Sequence, residues 1–470
     1  MYPNVLLITI DCLRSDHAGF MGYGRPTTPN LDRLAAEALS CTEAFATGPR
    51  TAESFPGIIA SAYALMHGSG YALTEHHTTL PEVLRGSGYN TAAFHSNPYL
   101  STNYGYERGF ATFWDSLEKA SGASKASHRA NIMRKIDRHS SLYRWARRLG
   151  TLGQILGRSE PFVRARVLNE QVTRWLADQP SPFFLWLHYM DPHYPYLPED
   201  EHLRLFRQGG LPRWKLAGLF SRMLEEPGSI GGPERQLLVD LYDAEVRAMD
   251  AAIGQLLAHL RKRDLYDDLL IMVTADHGEE FGEHGEFSHA TWASEVREGR
   301  VETKLHDELL HVPLLLRFPG RQHAGERLEG LVSLVDAAPT ILDVVGVEPP
   351  HGWCGQSLLP AVSGNGQGRP FVFSEYLVHN RGFKGPVIAC RTEGWKYIHE
   401  GVFGRHELHD LENDPQEQHN VVHLRPNIRD QLASYVARHQ ELLAETDGAA
   451  VEVTVDEEVL DRLRGLGYLE

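Results

Sequence analysis

The chain opens on Asn4-Val5-Leu6-Leu7-Ile8-Thr9-Ile10, a nearly unbroken apolar run that stops at Asp11. Such a run predicts a central parallel strand covered on both faces, because polar alternation is expected only where one face meets water. Pro182-Phe183-Phe184-Leu185-Trp186-Leu187 repeats the pattern and gives way to the polar run His188-Tyr189-Met190-Asp191-Pro192-His193. Leu269-Leu270-Ile271-Met272-Val273-Thr274 leads into Asp276-His277-Gly278-Glu279-Glu280, and Val312 to Phe318 closes on Pro319-Gly320. Helical stretches lie between these strands. One starts at Pro29, where the missing N–H of proline is tolerated. Another runs from about Glu234 to Leu260, and a terminal one from about Asn427 to Glu445.

Strands alternating with helices predict an α/β fold, a large mixed and mostly parallel sheet sandwiched by helices. The breaker run Ser363-Gly364-Asn365-Gly366-Gln367-Gly368-Arg369-Pro370 predicts a boundary. Residues 1–364 are then the larger domain, and 365–470 a smaller C-terminal α+β subdomain. Its strand-like pieces include Phe371-Val372-Phe373 and Pro386-Val387-Ile388-Ala389.

Composition narrows the class. With 470 residues, 42% hydrophobic and 23% charged, the chain has an ordinary globular make-up. No apolar run approaches the roughly 18 residues of a membrane span. The opening segment is too short and too uncharged for a secretory leader, so a cytoplasmic location is expected. A net charge of −16 argues against nucleic acid as a partner. The charge is uneven, with twelve Lys or Arg between Lys119 and Arg166 against two acids, Asp137 and Glu160. This basic helical insertion, residues 119–166, reads either as a solvated face or as an electropositive lip for an anionic substrate or membrane surface. Cys12, Cys41, Cys354 and Cys390 show no paired spacing, which predicts reduced thiols and neither a zinc cluster nor a disulfide framework.

Two of the apolar strands lead into acids, Asp11 and Asp276, and ligands in open α/β sheets gather at that carboxyl edge. Oxygen and imidazole donors delivered from neighbouring strand ends are a natural way to hold a divalent ion. The run Thr274-Ala275-Asp276-His277-Gly278-Glu279, followed by Gly282-Glu283-His284-Gly285, is the most specific of these signals.

Here the chain resembles the sulfatases, a branch of the alkaline-phosphatase superfamily. The resemblance rests on Leu7-Ile8-Thr9-Ile10-Asp11-Cys12-Leu13-Arg14-Ser15-Asp16-His17, on Gly22-Tyr23-Gly24, and on Thr28-Pro29-Asn30-Leu31-Asp32-Arg33-Leu34. It continues through Asp191-Pro192-His193-Tyr194-Pro195-Tyr196, the Asp276-His277-Gly278 block, Val312-Pro313-Leu314, and Glu407-Leu408-His409-Asp410-Leu411-Glu412-Asn413-Asp414-Pro415. In that family the nucleophile opens a helix and is a Cys or Ser converted to formylglycine, within Cys-x-Pro-x-Arg. The matching segment is Gly48-Pro49-Arg50-Thr51-Ala52-Glu53-Ser54-Phe55-Pro56, which places Thr51 at the nucleophile and Phe55 at the arginine. Ser54 is a nearby hydroxyl at the wrong place in the motif. Threonine has no known route to formylglycine, but it resembles the nucleophile of related phosphodiesterases and phosphonoacetate hydrolases.

The resemblance implies one divalent ion (Mn, Zn, Ca or Mg) on Asp11, Asp276 and His277, with Thr51 completing the shell. Asp11-Cys12 stands where sulfatases usually carry Asp-Asp, and Asp276-His277 where they often carry Asp-Asn. The Asp-His pair looks more like phosphonate monoester hydrolases and phosphodiesterases, and its imidazole favours Zn or Mn. His193 matches a histidine that contacts the anionic group or assists the leaving group, and His289 is a second candidate. Lys304 falls a residue or two from a family lysine. His188 and Asp191 are weaker candidates for a second metal. Ser96-Asn97-Pro98 replaces the family's Lys-Trp-His, leaving Asn97 to offer a hydrogen bond.

The expected activity is metal-dependent hydrolysis of a phosphodiester or phosphonate ester by attack of metal-bound Thr51. The alternatives are a sulfuric ester hydrolase without formylglycine, a phospho-group transferase, and a non-catalytic anion binder, the last disfavoured by the intact ligand set. The expected partner is an anionic small-molecule ester, with no nucleic acid and no membrane span.

Overall fold

The computed structural model describes residues 2–68, 72–116, 162–178, 181–209, 211–289, 303–364, 368–380 and 383–446, with short pieces of the tail from 455 on. All that follows concerns those residues. Most of the basic 119–166 segment lies outside them, as do residues 365–367 at the expected boundary.

The larger sheet has eight strands: β1 (Asn4–Ile10), β2 (Leu39–Phe45), β3 (Asn90–Phe94), β4 (Thr112–Trp114), β5 (Phe183–Tyr189), β6 (Leu269–Ala275), β7 (His311–Arg317) and β8 (Arg327–Ser333). Their order is β4-β3-β5-β1-β6-β7-β2-β8. Only β7 runs against its neighbours, pairing antiparallel with β6 and with β2. Every residue of β1, β5 and β6 is buried, as expected of continuous apolar strands at the centre of a two-faced sheet. The α/β class and the mixed, mostly parallel sheet are therefore those expected from the hydrophobic pattern.

Helices cover the sheet. Those used below are α1 (Pro29–Ala35), α2 (Thr51–Ala60), α3 (Leu80–Gly86), α4 (Ala165–Leu176), α5 (Gly232–Lys262), α6 (Ala337–Val345) and α7 (Pro426–Glu445). In α4 the buried positions are Ala165, Leu168, Asn169, Val172 and Leu176, a stripe at helical spacing that faces α5. Helix α3 is held at its start by a reciprocal capping box between Thr79 and Glu82. Helix α2 is buried along all ten residues and packs on α6. None of the described helices is long and apolar enough to cross a membrane.

The C-terminal sheet is antiparallel, with strands β9 (Val372–Asn380), β10 (Phe383–Arg391), β11 (Trp395–Glu400) and β12 (Arg405–Asp410) in the order β12-β11-β10-β9. Ile388, Cys390, Tyr397 and Leu408 form its apolar face against Leu432, Val436 and Leu443 of α7. Polar ties join it to the larger sheet. Glu375 N–H donates to the Thr47 carbonyl at 2.8 Å, and the fully buried Lys396 ammonium lies 2.5 Å from Asp307 and 2.8 Å from Glu417.

Candidate active site

Strand order explains why residues far apart in sequence meet. Ile10, the last residue of β1, aligns with Tyr189 of β5 and with Ala275 of β6. The ladder continues one residue further. Asp11 N–H donates to the Tyr189 carbonyl at 2.8 Å, and Asp276 N–H to the Ile10 carbonyl at 3.4 Å. The two acids and His188 therefore emerge side by side at the carboxyl edge, the edge at which such sheets bind ligands. Helix α2 begins at Thr51, so the positive end of its dipole lies at this residue. Asp11, Thr51, Asp276, His277 and His188 are all fully buried.

Thr51 Oγ1 is 3.5 Å from Asp11 Oδ2 and 3.4 Å from His277 Nε2. It accepts a hydrogen bond from Asn97 Nδ2 at 3.2 Å, and the same amide donates to Asp11 Oδ2 at 2.9 Å. His277 Nδ1 lies 2.8 Å from the Gly278 carbonyl. A carbonyl can only accept, so Nδ1 carries a proton there and Nε2 is turned inward. That nitrogen is 3.7 Å from Asp11 Oδ1 and 3.5 Å from Asp276 Oδ2. Asp276 Oδ2 is buried without a hydrogen-bond donor. His188 Nε2 stands 3.2 Å from Asp11 Oδ2.

The electrostatics of this cluster are divided. Burial by itself opposes ionisation of Asp11, but His193, His188 and His277 hold its pKa well below the usual carboxylate range. Burial and the charge of Asp11 push Asp276 well above that range. Two facing buried carboxylates, one with an orphaned oxygen, together with an inward-facing imidazole, form a donor set that fits a divalent cation.

A second tier surrounds the first. Cys12, in the left-handed backbone region at φ 60°, donates its thiol to Asp11 Oδ1 at 2.8 Å and lies 3.4 Å from His289 Nδ1. Burial, and then the charge of Asp11, keep that thiol protonated. His289 is held by Glu279, whose Oε1 lies 3.0 Å from Nδ1 and accepts the His289 backbone N–H at 2.7 Å. The Tyr196 hydroxyl donates to the other Glu279 oxygen at 2.7 Å. His193 packs edge-on against His289 with ring centres 5.0 Å apart, and Nδ1 hydrogen-bonds the Tyr194 carbonyl. Burial lowers the His193 pKa to about 4 and the His289 pKa well below its ordinary value.

The structure thus gathers Asp11, Thr51, Asp276 and His277 in one cluster, with His193 and His289 beside it. Lys304 instead donates to Glu280 Oε2 at 2.6 Å, a buried ion pair whose charge reaches His289 through space. Asp191 caps α4 by accepting the Ala165 N–H at 2.9 Å, whereas His188 touches Asp11 directly. Of the two second-metal candidates, only His188 is thereby brought into the cluster. Phe55 fills an aromatic box with Tyr106, Trp186 and His188, and the Ser54 hydroxyl is buried without a hydrogen-bond partner. Sequence reading passed over Glu279 and the thiol of Cys12. Both adjoin the motifs already singled out, one three residues after Asp276 and the other next to Asp11.

The Sulfatase family profile matches residues 3–347, and the profile named N-sulphoglucosamine sulphohydrolase, C-terminal, matches residues 302–442. Arylsulfatase K of Bos taurus is 31% identical over 201 residues, 41% of this chain and 34% of that protein. The match therefore spans about a third of that relative's length. The Multifunctional alkaline phosphatase superfamily protein PehA of Trinickia caryophylli is 24% identical over 89% of this chain and 91% of its own. Among solved structures, the phosphonate monoester hydrolase of Agrobacterium radiobacter superposes with a TM-score of 0.70 at 22% identity, over 94% of this chain and 96% of its own. With nearly three-quarters of its residues matched in order by the family profile, the chain belongs to the Sulfatase family.

Proposed function

We propose that this chain hydrolyses a phosphodiester or phosphonate ester with the Thr51 hydroxyl as nucleophile. The observation that carries this reading is the setting of Thr51 Oγ1, a hydroxyl at the start of a buried helix, 3.2 Å from Asn97 Nδ2 and 3.4 Å from His277 Nε2. Phe55 occupies the expected arginine position and is buried against Trp186 and His188, so it offers the substrate no guanidinium.

Asp11, Asp276 and His277 would hold the divalent ion, which when bound acidifies a neighbouring hydroxyl and offsets the negative charge of the ester. Asn97 orients Thr51 by donating to its oxygen and to Asp11 together. The N-terminal amides of α2 stabilise the negative charge that develops. As the bond from Thr51 Oγ1 to phosphorus forms, the hydroxyl proton passes to His289, the ester P–O bond breaks, and His289 gives a proton to the departing alcohol. Water then cleaves the phosphoryl group from Thr51. His289 suits both proton transfers, because Glu279 fixes its Nδ1 and stabilises the imidazolium. His193, edge-on to His289, supports contact with the anion.

A sulfate ester is the second reading, favoured by the match of residues 302–442 to a sulphohydrolase C-terminal profile. The test is the purified chain, stripped and reloaded with Mn, Zn, Ca or Mg, on bis-nitrophenyl phosphate, nitrophenyl phosphate, phenylphosphonate and sulfate esters. Turnover of the phosphorus esters that Thr51→Ala abolishes is expected. Preference for the sulfate ester, or turnover indifferent to Thr51, overturns the proposal. An intact mass equal to that of the unmodified chain excludes formylglycine.

A further inference from the structure

Away from the Thr51 cluster, a second group of metal-type donors sits where the segment before β7 meets the C-terminal sheet. His306 precedes β7, while Glu407 and His409 lie two residues apart on β12, on one side of that edge strand. Glu407 Oε2 is 3.3 Å from His409 Nε2 and 3.8 Å from His306 Nε2. One donor atom from each of the three lies within 4.8 Å of the others. The two histidines are 6% and 3% exposed, whereas the Glu407 side chain is 28% exposed and opens the group to solvent.

Two features point to a ligand. Ligand atoms around a tetrahedral ion with bonds of roughly 2.0–2.1 Å stand about 3.4 Å apart, close to the two imidazole–carboxylate spacings. Glu407 is also pre-oriented, because Thr303 Oγ1 donates to Oε1 at 2.8 Å and leaves Oε2 turned toward both rings.

His306 is shared with a neighbouring donor group that includes His284 and Glu308. His284 stacks on His306 with ring centres 3.6 Å apart, and its own nitrogens are engaged by Glu308 at 2.6 Å and by the Glu417 carbonyl at 3.2 Å.

We propose that His306, Glu407 and His409 bind a zinc-class transition-metal ion at the seam between the two sheets, with a fourth position open to water. Two imidazoles and one carboxylate are a borderline donor set that prefers zinc over calcium or magnesium. The proposal is independent of the role assigned to Thr51.

The test uses the full chain, stripped with a chelator and titrated with zinc chloride, with bound zinc counted after gel filtration. Chains carrying His277→Ala remove a ligand of the Thr51 cluster and serve as the parent. The parent is expected to keep one zinc per chain that His306→Ala or His409→Ala removes. Glu407→Gln, which preserves shape, is expected to weaken that zinc at least tenfold. Cobalt substituted into the parent should give tetrahedral absorption bands that the same variants lose. If the parent takes up no zinc, or the His306, His409 and Glu407 variants retain it unchanged, the site does not exist. Should His306→Ala and His409→Ala fail to fold, Glu407→Gln decides alone, since unchanged zinc affinity in it overturns the proposal.

Discussion

Thr51 and His277 stand 226 positions apart in sequence, yet Oγ1 of one faces Nε2 of the other at 3.4 Å in a fully buried site. The contact is directional because Nδ1–H donates to the Gly278 carbonyl and so turns Nε2 toward Thr51. The close approach also explains Gly278. A Cβ there would lie 2.0 Å from the Glu308 carbonyl oxygen, so only glycine allows this turn.

The first prediction concerns the nucleophile. Thr51→Ala is expected to lower kcat on a phosphorus ester by at least about 10³-fold, while Thr51→Ser keeps activity within about tenfold, since the hydroxyl is retained. Asn97→Ala, which removes the shared donor, is expected to cost roughly 10²-fold. Steady-state kinetics on bis-nitrophenyl phosphate check all three. Full activity in Thr51→Ala would assign the nucleophile elsewhere.

Glu279 orients His289 from behind. Glu279→Gln keeps its size but removes the charge that stabilises a protonated ring, and an approximately 10–100-fold loss in kcat is expected. Because the residue does not touch the reacting bond, KM should change little. A changed KM with unchanged kcat would contradict this role.

Lys396 is a fully buried cation between Asp307 and Glu417. Lys396→Met removes the ammonium that faces Glu417 and leaves Asp307 with Arg391, 3.2 Å away, and a destabilisation of about 3–5 kcal/mol is expected. Chemical unfolding measures it. A change below about 1 kcal/mol would show that the two acids adjust without the ammonium.

The His284–Glu308 pair links stability to pH. Burial opposes the charge on His284, but Glu308 outweighs it and raises the pKa from 6.5 to about 9. The folded state therefore holds a proton that the unfolded chain releases. The pair's contribution is complete below pH 6.5 and lost as pH rises toward 9. Glu308 stays ionised throughout, since its own pKa is lowered to about 2. Discounted for partial exposure, the effect is about 1–2 kcal/mol. Unfolding of chelator-treated chain and of Glu308→Gln at pH 6, 7.5 and 9 should show a stability gap that narrows with pH. A constant or widening gap would refute the linkage.

Much of the scaffold was legible in the sequence. The run Asn4–Ile10 is the strand seen, and the helices expected near Glu234–Leu260 and Asn427–Glu445 span Gly232–Lys262 and Pro426–Glu445. Strands such as β2 and β3 were not singled out. Leu39–Phe45 mixes Ser, Cys, Thr and Glu among its apolar residues, and Asn90–Phe94 is short and alanine-rich, so neither stands out as a hydrophobic run.

The amino-acid sequence by itself determined the central strands and the acids that follow them. A strand buried on both faces must be continuously apolar, so its polar terminus marks the sheet edge. Tertiary structure alone decided which side chains converge there. Strand order sets β5, β1 and β6 side by side and so brings His188 to Asp11, and the folded chain brings Asn97 to Thr51 and Glu279 to His289. It also pairs Lys304 with Glu280 and draws His306 up to Glu407 and His409. The meetings of His188 with Asp11, Asn97 with Thr51 and His306 with Glu407 and His409 depend on long-range strand order and packing, which no local spacing in the chain encodes.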